Sequence, residues 1–227
     1  MRLIADVLES LKNMEDPAHA ERHRAYHKSN LKFYGLRVPE MRKIAKRAGK
    51  SISTRDDLLK FFRQLWVLQT FETRSIAIFA LINHIDYLSS DDFHLFYPVL
   101  RECDGWALTD YLATGVLGEF LWKYQSHSQA VDQWKSDDCL WVRRAGILRF
   151  ISMARHKSLW LEEMENILNY HLKEENFFIR KALGWTLREW AKFQPGKVIK
   201  YVEENKANMS GLTFREATKH IIRKNKN

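Results

Sequence analysis

Two residues that could take part in chemistry stand four positions apart in the segment 105–118, GWALTDYLATGVLG. In a helix, Trp106 and Asp110 would share one face, about one turn from each other. A carboxylate can stabilise a developing positive charge and can orient or deprotonate a water molecule, and the face of an aromatic ring also attracts a cation. This pair is therefore a candidate for a catalytic site.

A second candidate is Trp185, in the segment 177–190, FFIRKALGWTLREW. It lies four positions after Lys181 and three before Arg188, so a helix would place its ring on a face with cations and not with Leu or Ile. Such a face suits nucleic acid, because the ring can stack on a sugar or a base while the charges hold phosphate. A tryptophan that packs in the core is the alternative.

Other chemistries find little support in the sequence. His23 and His27 have a spacing that could hold zinc on a helix, but they lack the glutamate of an HExxH motif and an obvious third ligand, which favours a solvated basic face. The chain also lacks a nucleophile elbow and a glycine-rich phosphate loop, which argues against a serine hydrolase and against nucleotide-dependent chemistry. We expect neither a metal nor an organic cofactor.

The elements that must position these residues are predicted to be helices. Only four prolines and nine glycines interrupt 227 residues, and apolar residues recur at helical spacing. A short phrase around an arginine recurs with a period of about 35 residues, at Arg74, Arg143, Arg180 and Arg215. We therefore predict one all-α domain over residues 1–227, a HEAT-like solenoid of about six antiparallel helix pairs that curves into a concave face.

The copy of this phrase expected near residue 108 has Leu108 in place of the arginine, and it is the copy that carries Trp106 and Asp110. We expect the repeated arginines to be structural and to pair with an acidic residue of their own repeat, such as Asp137 or Asp138 for Arg143. Arg144 points about 100° away from Arg143 around the helix and is the better candidate for a phosphate contact.

Charge and cysteine content limit the partner and the compartment. The formal net charge is +9, and residues 20–50 hold ten Lys or Arg against two Glu, which favours an anionic partner. Cys103 and Cys139 are too few for a disulfide framework, so we expect buried, reduced thiols and a reducing compartment. A bacterial-type cytoplasm, with association to the nucleoid, and a nucleus are both consistent with this. Four tryptophans lie in apolar stripes and are predicted to be core: Trp66, Trp122, Trp134 and Trp160.

The chain resembles the AlkD-type DNA alkylation repair glycosylases, which are HEAT-like repeat proteins. The resemblance runs through AERHRAYHKSNLKFYGLRVPEMRK, CDGWALTD, WVRRAGIL, FFIRKALGWTLREWAK and FREATKHI, and so covers nearly the whole chain. It implies Asp110 as the catalytic carboxylate and Trp106 and Trp185 as aromatic walls beside the lesion. It also implies that the concave face of the solenoid binds DNA, and the DNA-binding residues that we expect are Tyr26, Arg37, Val38, Pro39, Arg144, Lys181 and Arg188.

The reaction that the resemblance implies is hydrolysis of the N-glycosidic bond of cationic N3- or N7-alkylated purines in duplex DNA, such as 3-methyladenine, 7-methylguanine and bulky adducts. It implies a monomer that needs no base-flipping pocket and does not cleave the strand. Gly105 replaces a second tryptophan of the best-known relatives and is expected to loosen the start of its helix, and Arg37-Val38 replaces a more neutral pair. The alternatives are a non-catalytic module that binds damaged or distorted DNA, and a scaffold that binds an acidic peptide.

Overall fold

The computed structural model describes residues 2–156 and 162–224. Over these ranges the chain forms helices and no β-strand, and Lys32 and Thr70 make an isolated parallel bridge. The all-α prediction is confirmed. Contacts between residues divide the chain into two compact units, residues up to Leu112 and residues from Ala113 onward. The single continuous domain and the six helix pairs stay predictions.

The first unit contains seven α-helices in its described part. They are α1 (Arg2–Asn13), α2 (Pro17–His27), α3 (Val38–Gly49), α4 (Arg55–Trp66), α5 (Phe71–Asn83), α6 (Phe96–Arg101) and α7 (Trp106–Leu112), with 3-10 turns at Ile85–Tyr87 and Ser90–Leu95. Residues 71–81 of α5 are all buried, and this helix packs against α3, α4 and α7. It is the centre of the first unit and supports the helix that carries Trp106 and Asp110.

The second unit begins with a π-helical turn (Ala113–Leu117) and continues with eight α-helices in its described part. They are α8 (Gly118–Lys123), α9 (Ser128–Asp132), α10 (Leu140–Leu148), α11 (Phe150–Arg155), α12 (Glu162–His171), α13 (Phe177–Trp190), α14 (Pro195–Asn205) and α15 (Gly211–Lys224), with 3-10 turns at Gln125–His127 and Gln133–Ser136. Helix α13 packs against α10, α11 and α15, and its Trp190 is fully buried.

Local capping explains where several helices begin. The Asp16 side chain accepts the His19 N–H ahead of Pro17 in α2, and Thr54 forms a capping box with Asp57 in α4. Thr70 caps α5 in the same way, by accepting the Thr73 N–H. Because a capping side chain satisfies an otherwise unpaired N–H, each of these residues stabilises its helix by about 1 kcal/mol.

Three of the repeated arginines bind backbone carbonyl groups. Arg143 donates to the carbonyls of Asp137 (2.7 Å) and Asp138, and Arg180 donates to the carbonyl of Glu174 (2.8 Å). Arg74 donates to the carbonyls of Trp66 and Glu102 in the same manner. These contacts give the arginines a structural role, as predicted. Arg74 and Arg143 also lie 3.7 and 3.9 Å from the carboxylates of Glu102 and Glu174.

Not every residue predicted to be core is buried. Trp66 and Trp134 are buried, but Trp122 is 38% exposed and stacks on the ring of His156 with a centroid distance of 4.6 Å. Cys103 is buried, whereas Cys139 is half-buried, and the two do not form a disulfide bond. Trp160 lies outside the described residues. A stripe of apolar residues thus shows which face of a helix is turned inward, but not how completely a neighbour covers it.

Candidate active site

Helix α7 starts from a tight turn that only glycine adopts without strain. Gly105 has a φ of +112°, and a Cβ added there would lie 3.5 Å from the carbonyl oxygen of His27, which is an ordinary contact. The left-handed backbone, and not a lack of space, therefore requires the glycine. Thr109 Oγ1 donates back to the Gly105 carbonyl at 3.1 Å. The expectation that Gly105 loosens this helix start stays a prediction.

Asp104 connects this turn to the chain that leaves α2. Its carboxylate accepts the hydroxyl of Ser29 at 2.8 Å and the backbone N–H of Asn30. Since these groups lie directly after the end of α2, the clamp brings the residues at that end next to the start of α7. Hydrogen bonds to a charged acceptor are stronger than those between neutral groups, at about 1.5–3 kcal/mol each.

Trp106 is half-buried in a cluster of rings in the first unit. Tyr26 meets it edge to face with a centroid distance of 5.6 Å, and His27 packs against it at 4.9 Å. Phe33 and Phe71 stack beneath His27. We call these five residues the Trp106 cluster. The cluster supports Trp106 from one side, while Tyr26 remains 69% exposed and available to a partner.

Asp110 lies one turn after Trp106 and is 8% exposed. The next residue, Tyr111, packs its ring on Phe79 at 4.9 Å, and the guanidinium of Arg42 lies 4.3 Å above the Phe79 ring. Burial raises the pKa of Tyr111, the charge of Arg42 lowers it, and the charge of Asp110 raises it. Asp110 and Arg42 are therefore both close enough to Tyr111 to act on it electrostatically.

The turn at Arg37, Val38 and Pro39 begins α3 in the first unit, and Arg37 and Pro39 are exposed. The buried carboxylate of Glu72 holds the preceding segment by accepting the backbone N–H groups of residues 34–36, at 2.9–3.3 Å. Burial raises the pKa of Glu72, and these N–H donors counteract the rise. Helix α5 thus positions the exposed turn that the resemblance places near DNA.

In the second unit, the cations beside Trp185 have an anionic partner. Trp185 is half-buried and donates its Nε1–H to Glu189 at 3.3 Å. Lys181 binds Glu216 of α15 at 2.8 Å, and Arg188 binds the other oxygen of the same carboxylate. The hydrogen bond from Lys181 is the largest cause that lowers the pKa of Glu216. This face carries both signs of charge, where spacing alone indicated cations.

Arg144 is placed differently from a free phosphate ligand. It is 4% exposed, and its guanidinium donates to the backbone carbonyl of Phe178. Phe178 in turn packs its ring against Trp141 with a centroid distance of 5.2 Å. In this arrangement Arg144 connects α10 to the start of α13.

The structure thus brings Tyr26, Trp106 and Asp110 together in the first unit, with the turn at residues 37–39 on the same unit. Trp185, Lys181, Arg188 and Arg144 belong to the second unit. Sequence reasoning missed Asp104 and Glu216 as neighbours of candidate residues. Arg42 fits the repeat, one period before Arg74, but its place near Tyr111 was not predicted.

The described ranges contain neither a metal-binding cluster nor a membrane-spanning helix. No cluster of three or more His, Cys, Asp or Glu with a geometry suited to a metal ion was found between residues 2 and 156 or between 162 and 224. In the same ranges, no helix has the length and apolar character needed to cross a membrane.

Comparison with known proteins assigns the family. The family model for DNA alkylation repair enzymes matches residues 7–221, so the chain belongs to this family. A structure described as a predicted DNA alkylation repair enzyme from Enterococcus faecalis has a TM-score of 0.79 at 20% identity, covering 91% of this chain and 96% of that one. AlkD2 from Streptococcus mutans has a TM-score of 0.53 at 17% identity, covering 96% and 98%. At these identities the likeness shows the fold. No curated protein matches the chain.

Proposed function

We propose that this protein is a monofunctional DNA glycosylase that hydrolyses the N-glycosidic bond of cationic N3- or N7-alkylated purines in duplex DNA, as the first step of base excision repair. The observation that carries the proposal is a buried carboxylate, Asp110, one turn from the half-buried ring of Trp106. Both stand in the repeat copy that has lost its structural arginine. Membership of the DNA alkylation repair family supports a role in repair.

The chemistry of an alkylated purine explains why one carboxylate suffices. The base carries positive charge, so it leaves as a neutral molecule with the electron pair of the C1′–N bond and needs no general acid. The barrier that remains is the oxocarbenium-like sugar. Asp110 would stabilise that charge and accept a proton from the water that attacks C1′. Because Asp110 is largely withdrawn from water, its field is screened less than that of a surface carboxylate.

Aromatic faces would assist the same step. The negative face of an indole attracts a cation with about 0.5–2 kcal/mol where water is excluded. Trp106 is held against Tyr26 and His27 and so presents a fixed surface. We assign Trp185 the role of a second aromatic wall, on the basis of the family resemblance and its half-buried position.

DNA binding is assigned to residues of both units. In the first unit these are Tyr26, Arg37, Val38 and Pro39, within a stretch that is rich in exposed Lys and Arg. In the second unit we propose Lys181 and Arg188, which a DNA phosphate would share with Glu216, and Arg144, whose guanidinium would have to exchange its bond to Phe178 for a phosphate. We propose that the protein acts as a monomer and without a cofactor.

The test is release of 7-methylguanine from methylated duplex DNA under single-turnover conditions. We expect Asp110→Asn to lower the rate constant by about 100-fold or more, because an amide keeps the shape and removes the charge. DNA affinity should change little. Asp91→Asn, at an exposed site of the same unit, is the matched control and should behave as wild type. Uracil should not be released, and the strand should stay intact until alkali is added.

Equal release by wild type and Asp110→Asn would refute the assignment of Asp110. Absence of release by the wild type, together with salt-sensitive DNA binding, would identify the protein as a non-catalytic module for distorted DNA. Binding that neutralises several phosphates should lose about 0.9 units of log K per unit of log salt for each phosphate contact. Binding that does not respond to salt would favour the peptide scaffold.

A further inference from the structure

Helix α2, which presents Tyr26, lacks the apolar stripe that normally holds a helix to its neighbours. Its sequence is PAHAERHRAYH, and none of its residues is fully buried. Three histidines spaced four apart line one side of it: His19, His23 and His27. The ring of His23 contacts the ring of His19 at a centroid distance of 3.8 Å and the ring of His27 at 5.6 Å. A row of imidazoles therefore takes the place of the usual aliphatic side chains.

This row is fixed at its first residue and packed at its last. Nδ1 of His19 lies 2.5 Å from the carbonyl oxygen of Gly35, so it serves as the donor to that oxygen. His27 packs its ring against Phe71 at 4.8 Å, at an interplanar angle of 29°, and against Trp106 at 4.9 Å. The imidazole of His27 thus lies between the central helix of the unit and the candidate aromatic wall.

The surroundings of His23 and His27 are suited to neutral imidazoles. Among the described residues, the Nδ1 atoms of His23 and His27 are buried without a hydrogen-bond partner. A protonated ring would place an unpartnered cationic N–H in this position, which is costly. Burial, followed by the charge of His23, lowers the pKa of His27 to about 4. Burial also lowers the pKa of His23, with contributions from His19, Arg22 and Arg37.

The groups that face His27 from neighbouring segments are also uncharged. The loop after α2, helix α5 and helix α7 contribute the uncharged rings of Phe33, Phe71 and Trp106. The titratable neighbours on its own helix are His23 and Tyr26. A positive charge on His27 would oppose the cationic sugar that the proposed reaction forms beside Trp106, whereas a neutral ring adds no such repulsion.

We propose that His27 is a positioning residue, whose uncharged ring supports Trp106 and sets the orientation of Trp106 and Tyr26 at the active site. The proposal rests on the glycosylase function given above. It differs from the zinc site that the spacing of His23 and His27 could indicate, since no metal-binding cluster occurs among the described residues. It also means that the repeat copy with Leu108 in place of arginine is supported by a residue of α2, far upstream in the chain.

The experiment compares His27→Ala with His27→Met. Methionine is flexible, apolar and without charge, and it can fill the space of the imidazole, whereas alanine leaves a gap beneath Trp106. We expect His27→Ala to lower the single-turnover rate of 7-methylguanine release by about tenfold or more, because small misplacements of a catalytic group have large effects on rate. DNA affinity should stay within about threefold, and His27→Met should restore most of the rate. His94→Ala, at an exposed position of the same unit, is the control.

A spectroscopic measurement separates this proposal from the proposed function. Near-ultraviolet circular dichroism should differ between wild type and His27→Ala, and the difference should vanish when both carry Trp106→Phe. If the wild type releases no 7-methylguanine, the glycosylase assignment fails while this spectrum still tests the contact. Wild-type release by His27→Ala, or a spectral change that persists in the Trp106→Phe background, would overturn the role of His27.

Discussion

Gly184 allows helix α15 to approach helix α13 closely. A Cβ added to Gly184 would lie 2.5 Å from the Cβ of Glu216 and 2.9 Å from the carbonyl oxygen of Thr213. The backbone of Gly184 is ordinary helix, so the glycine is required by the neighbouring helix and not by its own conformation. The same close approach lets Glu216 bind both Lys181 and Arg188, which precede and follow Trp185 along α13.

The change Gly184→Ala should therefore destabilise the protein, although alanine is the better helix former. Alanine gains about 1 kcal/mol over glycine in a helix interior. Overpacking of a well-filled site costs about 1–3 kcal/mol, and the upper part applies here because the clash involves a backbone oxygen and a Cβ, which cannot move without the helix. We expect a net loss of about 2 kcal/mol in the free energy of unfolding.

Gly146→Ala provides the matched control, since Gly146 is also buried inside a helix. Its added Cβ would lie 3.9 Å from the Cβ of Trp134 and 4.0 Å from the carbonyl of Val131, which are ordinary contacts. This variant should gain about 0.5–1 kcal/mol. Urea unfolding followed by far-ultraviolet circular dichroism measures both. If Gly184→Ala proves as stable as wild type, the packing argument is refuted.

Two further predictions concern the first unit. Asp104→Ala should lower the free energy of unfolding by about 1–3 kcal/mol, because the Asn30 N–H and the Ser29 hydroxyl lose their acceptor. Asp104→Asn keeps an acceptor oxygen and should lose less stability in the same urea assay. Arg55→Gln should lower the free energy of unfolding at pH 7, because buried Asp92 loses its counter-ion. Burial raises the pKa of Asp92, but the hydrogen bonds from Arg55 and Ser89 together lower it by more, so the pKa lies below 3.8. The stabilisation is present above pH 3.8 and is lost as the pH falls through the depressed pKa. The loss of unfolding free energy in Arg55→Gln relative to wild type should therefore be smaller at pH 3 than at pH 7. Equal losses at the two pH values would contradict this prediction.

The helical class and the structural role of the arginines could be predicted because both depend on local spacing. Arg143 and Arg180 bind carbonyls six residues before them, within reach of a sequence pattern. Arg144 could be assigned to another side of its helix, but its burial depends on Phe178, which belongs to a helix that begins 37 residues after α10 begins. Spacing gives the direction of a side chain, and the neighbouring helix decides its exposure.

The candidate site was predictable to the same extent. Trp106 and Asp110 could be paired because one helical turn joins them. The cations at Lys181 and Arg188 were also found from spacing, but their shared partner Glu216 lies on another helix, 35 residues beyond Lys181. His27 was considered as a metal ligand because sequence shows its chemical type and not the rings of Phe71 and Trp106 that surround it.

The clamp at Asp104 has a consequence for how the site forms and opens. It joins residues 74 and 75 positions apart, whereas the polar contacts of Trp66 with Glu102 and of Arg55 with Asp92 span 36 and 37. Doubling a loop adds only about 0.6 kcal/mol of closure entropy, so stability is little affected. Contacts this distant in sequence nevertheless form slowly, because the entropy of closing the loop is lost before the contact is gained. The rings of the Trp106 cluster should accordingly come together late in folding and separate when α3, α4 or α5 unfolds, so that a molecule with a damaged scaffold also lacks the proposed catalytic surface.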